Sequence, residues 1–153
     1  MDAQRRSYLI DAASAAQSSL LEQTLGKAWL ERNIDEYDDI SWQKRVGEGV
    51  QLGGDYSLNV QKMAYNATRK RVDLVAYRNN TATLIELKDH VDVQALSQAA
   101  DYARLWQIAP TDPPVAAVVV VGRTSDPRMA EAGAVMGITV ELLPGVSIPT
   151  PTP

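Results

Sequence analysis

Two carboxylates and one ammonium group stand where they could act together: Asp73, then Glu86 and Lys88. Residues 71–77 and 81–88, which carry them, have the alternation and β-branched content of two strands. Asn79 and Asn80 separate the runs as a two-residue turn, because asparagine tolerates the left-handed backbone that tight hairpins need. With that turn Arg78 pairs with Thr81, and Asp73 lies opposite Glu86 with Cβ atoms about 5 Å apart. A four-residue loop on the same centre keeps this pairing, whereas an odd loop breaks it. Period-2 alternation puts Lys88 on the same face, opposite Arg71, and sends Leu74, Ile85 and Leu87 to the other. Carboxylates facing each other across a hairpin repel. Either a divalent cation between them turns that cost into a ligand pair, or Lys88 and Arg71 neutralise them in a salt-bridge network. Acids isolated among Val, Leu and Ile are costly, which favours a functional site.

The elements that must position these groups follow from apolar periodicity and breakers. Residues 6–32 read as one long helix, ended by Asn33 and the acidic cluster from Asp35 to Asp39. Residues 41–46 alternate as a short strand, followed by a loop bracketed by Gly47, Gly49, Gly53 and Gly54, and residues 56–65 are expected to be extended. After the hairpin a helix spans 93–107, closed by Pro110 and by Pro113 and Pro114, with Leu105 and Trp106 in the core. The apolar run 115–121 is a strand buried on both faces. Asp126 and Pro127 are expected to cap a helix to residue 136, and 138–143 form a last strand. The reading is an α/β domain over 1–146, a mixed central sheet flanked by helices in the order α-β-β-β-α-β-α-β. Residues 147–153 are expected to be a flexible Pro/Thr tail.

Composition narrows the chemistry. The 153-residue chain has no cysteine and one histidine, His90, which excludes thiolate sites and a multi-histidine zinc site within the chain. Any metal is then a hard cation on oxygen ligands, Mg²⁺ or Mn²⁺. His90 itself reads as incidental. No apolar run is long enough to span a bilayer, and the polar-interrupted N-terminus is not a secretory signal, so a cytoplasmic protein is expected. The net charge is −4, which argues against a basic nucleic-acid coat. Yet Lys62, Arg69, Lys70, Arg71 and Arg78 face a single acid, Asp73, between positions 62 and 78, enough to grip phosphates locally or to be a solvated basic loop.

Val72 and Asp73, followed thirteen residues later by Glu86, Leu87 and Lys88, resemble the bipartite motif of the PD-(D/E)xK nuclease superfamily, with Val72 in place of the proline. The order of elements resembles that superfamily's restriction-endonuclease-like core over nearly the whole chain. Gln98 and Tyr102 resemble the QxxxY motif of RecB-like nucleases, and their i, i+4 spacing puts them on one helix face. Glu22 resembles the helix-borne acid that adds a metal contact in many members.

The resemblance implies a magnesium-dependent nuclease acting on DNA. Asp73 and Glu86, with the Leu87 carbonyl and Glu22, would bind Mg²⁺ or Mn²⁺, which acidifies a water and neutralises phosphate charge. Lys88 would orient that water or stabilise developing charge. Gln98 and Tyr102 would position the metal site or substrate, and Arg69, Lys70 and Arg71 would contact phosphates. The QxxxY match leans toward exonucleases, and the small size toward endonucleases that are often homodimers. Two other readings stand beside this one. The first is a non-catalytic assembly protein, for example phage-derived, that reuses the fold. The second is an RNA-directed or toxin nuclease.

Overall fold

The computed structural model describes residues 1–14, 16, 18–109 and 111–150. In chain order the elements are α1 (Ala3–Asp11), α2 (Leu20–Asn33), β1 (Asp39–Val46), α3 (Leu58–Thr68), β2 (Lys70–Arg78), β3 (Thr81–Leu87) and β4 (His90–Val91). Then come α4 (Val93–Ile108), β5 (Val115–Gly122), β6 (Thr124–Ser125), α5 (Met129–Val135) and β7 (Ile138–Leu142). Five strands form a mixed sheet in the order β1-β2-β3-β5-β7, and β4 with β6 forms a separate two-stranded ribbon. The first three strands are antiparallel, whereas β5 is parallel to both β3 and β7.

Asn79 and Asn80 both take left-handed backbone, φ 50 and 59, as a type I′ turn requires. Arg78 pairs with Thr81 and the ladder runs in that register to Leu74 and Ile85. On one face of the sheet Leu25, Trp29 and Leu30 of α2 pack on Leu74, Ile85 and Leu87. On the other, Ala95, Leu96 and Ala99 of α4 cover Val118 and Val120, while Tyr102 and Trp106 cover Val75 and Leu84. With helices on both faces, β5 buries both of its sides from Val118 to Gly122, as its apolar sequence requires, whereas Ala116 and Ala117 near its start are exposed. Trp106 is fully buried and Leu105 packs against its cluster.

Several expectations need correction. The single helix over 6–32 is two helices, with a 3₁₀ turn at Ala12–Ser14 after the first. Ser19 starts α2 with a capping box: its hydroxyl accepts from Glu22 N–H at 3.2 Å, and Glu22 Oε2 accepts from Ser19 N–H at 3.1 Å. Residues 56–65 are mostly helical, because Ser57 caps α3 by accepting from Val60 N–H. Helix α3 therefore lies between the first two strands of the sheet, which the expected order lacked, and the β4/β6 ribbon is a further addition. The last helix begins at Met129, since Asp126 bonds His90 and does not cap it. Val146 and Ile148 pack against the α2-side core, so the chain leaves that core later than residue 146. Gln17, Pro110 and the tail end 151–153 lie outside the described residues. No described helix is long and apolar enough to cross a membrane.

Candidate functional site

The site forms where the sheet loses its regularity. Strands β1 and β2 keep one register, Trp42 beside Leu74 and Lys44 beside Val72, yet Gln43 and Asp73 between them do not pair. Gln43 adopts φ 53, a left-handed conformation that costs a non-glycine residue about 1–2 kcal/mol. One such residue turns a strand over. On β1, Ile40 and Trp42 pack toward α2, whereas Val46 packs toward α4. On β2, Leu74 packs toward α2 and Val72 toward α4. The β2–β3 ladder ends at the same level. Asp73 fills the gap with its side chain: Oδ2 accepts from Leu87 N–H at 2.9 Å and Oδ1 from Gln43 Nε2 at 3.4 Å.

Glu86, on β3, is 3% exposed. Its Oε1 is buried without a hydrogen-bond partner among the described residues. An unpaired buried carboxylate oxygen is costly, and the protein meets that cost by holding protons. Burial, and then the Asp73 charge, push the Glu86 carboxyl up to about 9. Burial pushes Asp73 up to about 6, against the Leu87 amide that favours its charged form, with Glu22 adding a further upward push. The two carboxyls lie within hydrogen-bonding reach, so protonated Glu86 can donate to ionised Asp73. They behave as a pair that shares protons.

Glu22 approaches from α2. Its Oε2 serves the cap of its own helix and also accepts from Gln43 Nε2 at 3.4 Å. Gln43 thus spans Glu22 and Asp73, joining the helix-borne acid to the sheet-borne one. Sequence reasoning missed it: glutamine in a short alternating run carries no signal, and its left-handed φ comes from packing on both sides. Lys88 is half-buried; its backbone N–H donates to the Val121 carbonyl at 2.9 Å, while its ammonium group has neither a hydrogen bond nor an ion pair among the described residues. Its charge lowers both carboxyl pKa values as a minor cause. Leu87 contributes its N–H to Asp73, while its side chain lies in the core.

From α4, Gln98 Nε2 donates to Tyr102 Oη at 2.6 Å. Tyr102 is buried, and its phenol pKa is raised first by burial and then by the charges of Glu86 and Asp73. The pair therefore belongs to the same electrostatic neighbourhood as the acids. The basic residues divide. Arg69 Nε donates to the Gly47 carbonyl at 2.8 Å with its guanidinium over Tyr65, and Lys70 pairs with Asp101 at 3.1 Å. Arg71 lies beside Arg45 across the β1–β2 ladder. His90, expected to be incidental, ties β6 to β4, its ring nitrogens each 2.7 Å from Thr124 Oγ1 and Asp126 Oδ1.

Among the described residues, no three acidic or histidine side chains converge as a ready-made cation cage. A magnesium ion asks for less, since one or two carboxylates suffice when water completes its shell. Asp73 and the orphaned Glu86 oxygen fit that lesser requirement.

No family model and no curated protein matches the chain. A crystal structure described as "Protein of Unknown Function AF1548" is similar to it, with a TM-score of 0.51 and 11% identity. The match covers 80% of this chain and 57% of that one. At this identity the likeness is one of fold alone, and this chain spans little more than half of that protein.

Proposed function

We propose that the chain is a magnesium- or manganese-dependent nuclease that hydrolyses phosphodiester bonds, first of all in DNA, on a restriction-endonuclease-like PD-(D/E)xK core. The observation that carries the reading is the pair of half-buried Asp73 and buried Glu86, with a Glu86 carboxyl oxygen left unpartnered among the described residues. Asp73 and Glu86 would hold the cation, with Glu22 near enough through Gln43 to add to the negative potential. A cation held there acidifies a water and neutralises phosphate charge. To hold a cation the pair would have to give up its protons, so binding would strengthen as pH rises. Lys88, uncommitted to either acid, places a positive charge where negative charge accumulates on the phosphate. Gln98 fixes the Tyr102 hydroxyl, which keeps its own proton free to donate to a substrate oxygen.

The test is an incubation with single-stranded, duplex and branched DNA and with RNA, in Mg²⁺ or Mn²⁺, beside Asp73→Ala. Expected is metal-dependent cleavage by the wild type that the variant lacks. Cleavage undiminished in Asp73→Ala would overturn the assignment. So would a wild type that cleaves nothing with either metal, an outcome that would favour the assembly-protein reading.

A further inference from the structure

Helix α3, which connects β1 to β2 in the chain, buries none of its side chains. Between it and β1, the edge strand, runs a groove made of two adjoining cavities. One, of about 690 Å³, is lined by Arg45, Asn59, Lys62, Met63, Asn66 and Arg71, among others. The other, of about 510 Å³, shares Arg45 and Asn66 and adds Gln43, Lys44 and Arg69, with Asp112 as its one acid. Five cations thus line one continuous depression on a chain whose net charge is −4. Among the described residues, the side chains of Lys44, Arg45 and Lys62 have no anionic partner. Cations concentrated in a groove raise the local concentration of a polyanion. Gln43, which lines the second cavity, touches Asp73 through its amide, so a strand lying in the groove passes beside that carboxylate. Together the cavities hold a few nucleotides of one extended strand. The amides of Asn59 and Asn66 and the thioether of Met63 offer adaptable, sequence-tolerant contacts.

We propose that the groove between α3 and β1 binds a single strand of nucleic acid. Arg45, Lys62 and Arg71 take its phosphates, and α3 acts as the outer lip that the sheet alone would lack. The inference rests on the nuclease reading for its direction toward Asp73, but its test does not depend on cleavage. Binding of a fluorescein-labelled oligothymidylate of about 20 nucleotides is measured in EDTA over a series of salt concentrations. The proteins are the wild type, the double variant Arg45→Gln/Lys62→Gln, and Arg128→Gln, just before α5, as a surface control. In the double variant affinity should fall tenfold or more. The slope of log K against log salt should flatten by about 1.4, two phosphate contacts at roughly 0.7 each. Arg128→Gln should match the wild type, and a duplex should bind no tighter than the single strand. A folded double variant with unchanged affinity and slope, or a clear preference for duplex, would overturn the groove. If cleavage depends on Asp73 while the double variant still binds normally, the groove fails and the nuclease reading stands. If binding depends on Arg45 and Lys62 but no metal supports cleavage, the reverse holds.

Discussion

Consider Glu86→Gln in the metal-free protein. The Glu86 carboxyl is pushed from its ordinary value of 4.5 up to about 9 by burial and by Asp73. Between those two values the folded chain keeps a proton that the unfolded chain gives up, so raising the pH favours unfolding. The sign is opposite to that of a salt-bridged acid: stability is greatest below the unfolded value and declines until the folded value is passed. Each pH unit inside the window removes up to about 1.4 kcal/mol, so from pH 5 to pH 7 this group alone costs roughly 3 kcal/mol. Asp73, raised to about 6, acts in the same direction at the acid end. Glutamine keeps the shape of the protonated acid without its titration. The variant should therefore show a much flatter profile and be more stable than the wild type at pH 8, by roughly 4–5 kcal/mol. Urea unfolding in EDTA, followed by the fluorescence of the buried Trp29 and Trp106, reads this directly. If the proposed cation binds the ionised pair, saturating magnesium should reverse the slope for the wild type and do much less for the variant. A wild-type midpoint that is constant or rising between pH 5 and 8 without metal would refute the reasoning. So would a Glu86→Gln protein less stable than the wild type at pH 8.

Two further predictions follow from the same neighbourhood. Lys88→Met should slow cleavage by about 10²–10³ and leave the urea midpoint nearly unchanged, since Lys88 has no ion pair to lose; a drop of less than threefold would remove it from the chemistry. Gln43→Gly should relieve the left-handed backbone and hold or raise stability by up to about 1 kcal/mol. At the same time it removes the amide that spans Glu22 and Asp73, so cleavage should fall. Loss of stability without loss of activity would make Gln43 a structural residue only.

The hairpin was legible because two adjacent asparagines admit one tight turn, and a two-residue turn leaves no freedom in the pairing of Leu74 with Ile85. The two-sided burial of the valine run of β5 was equally legible, whereas the exposure of Ala116 and Ala117 in the same apolar stretch was not. Asp73 and Glu86 stood out because acids amid β-branched residues violate the pattern around them. Other features resisted reading. The Ser19 and Glu22 capping box is a local signal, yet it was masked by the helix-like composition on both sides of it. Helix α3 reads poorly because it buries nothing, and periodicity is informative only where one face is selected by a core.

By itself, then, the sequence determined where strands turn, which runs must be buried, and which acids cannot be there for packing alone, because each of these depends on a residue and its near neighbours. The tertiary structure decided that β1 and β2 turn over at Gln43 and Asp73, that the amide of Gln43 reaches both Glu22 and Asp73, and that cations from β1, α3 and β2 line one groove. Those outcomes depend on which surfaces press on a strand from each side, and that information is spread over the whole chain.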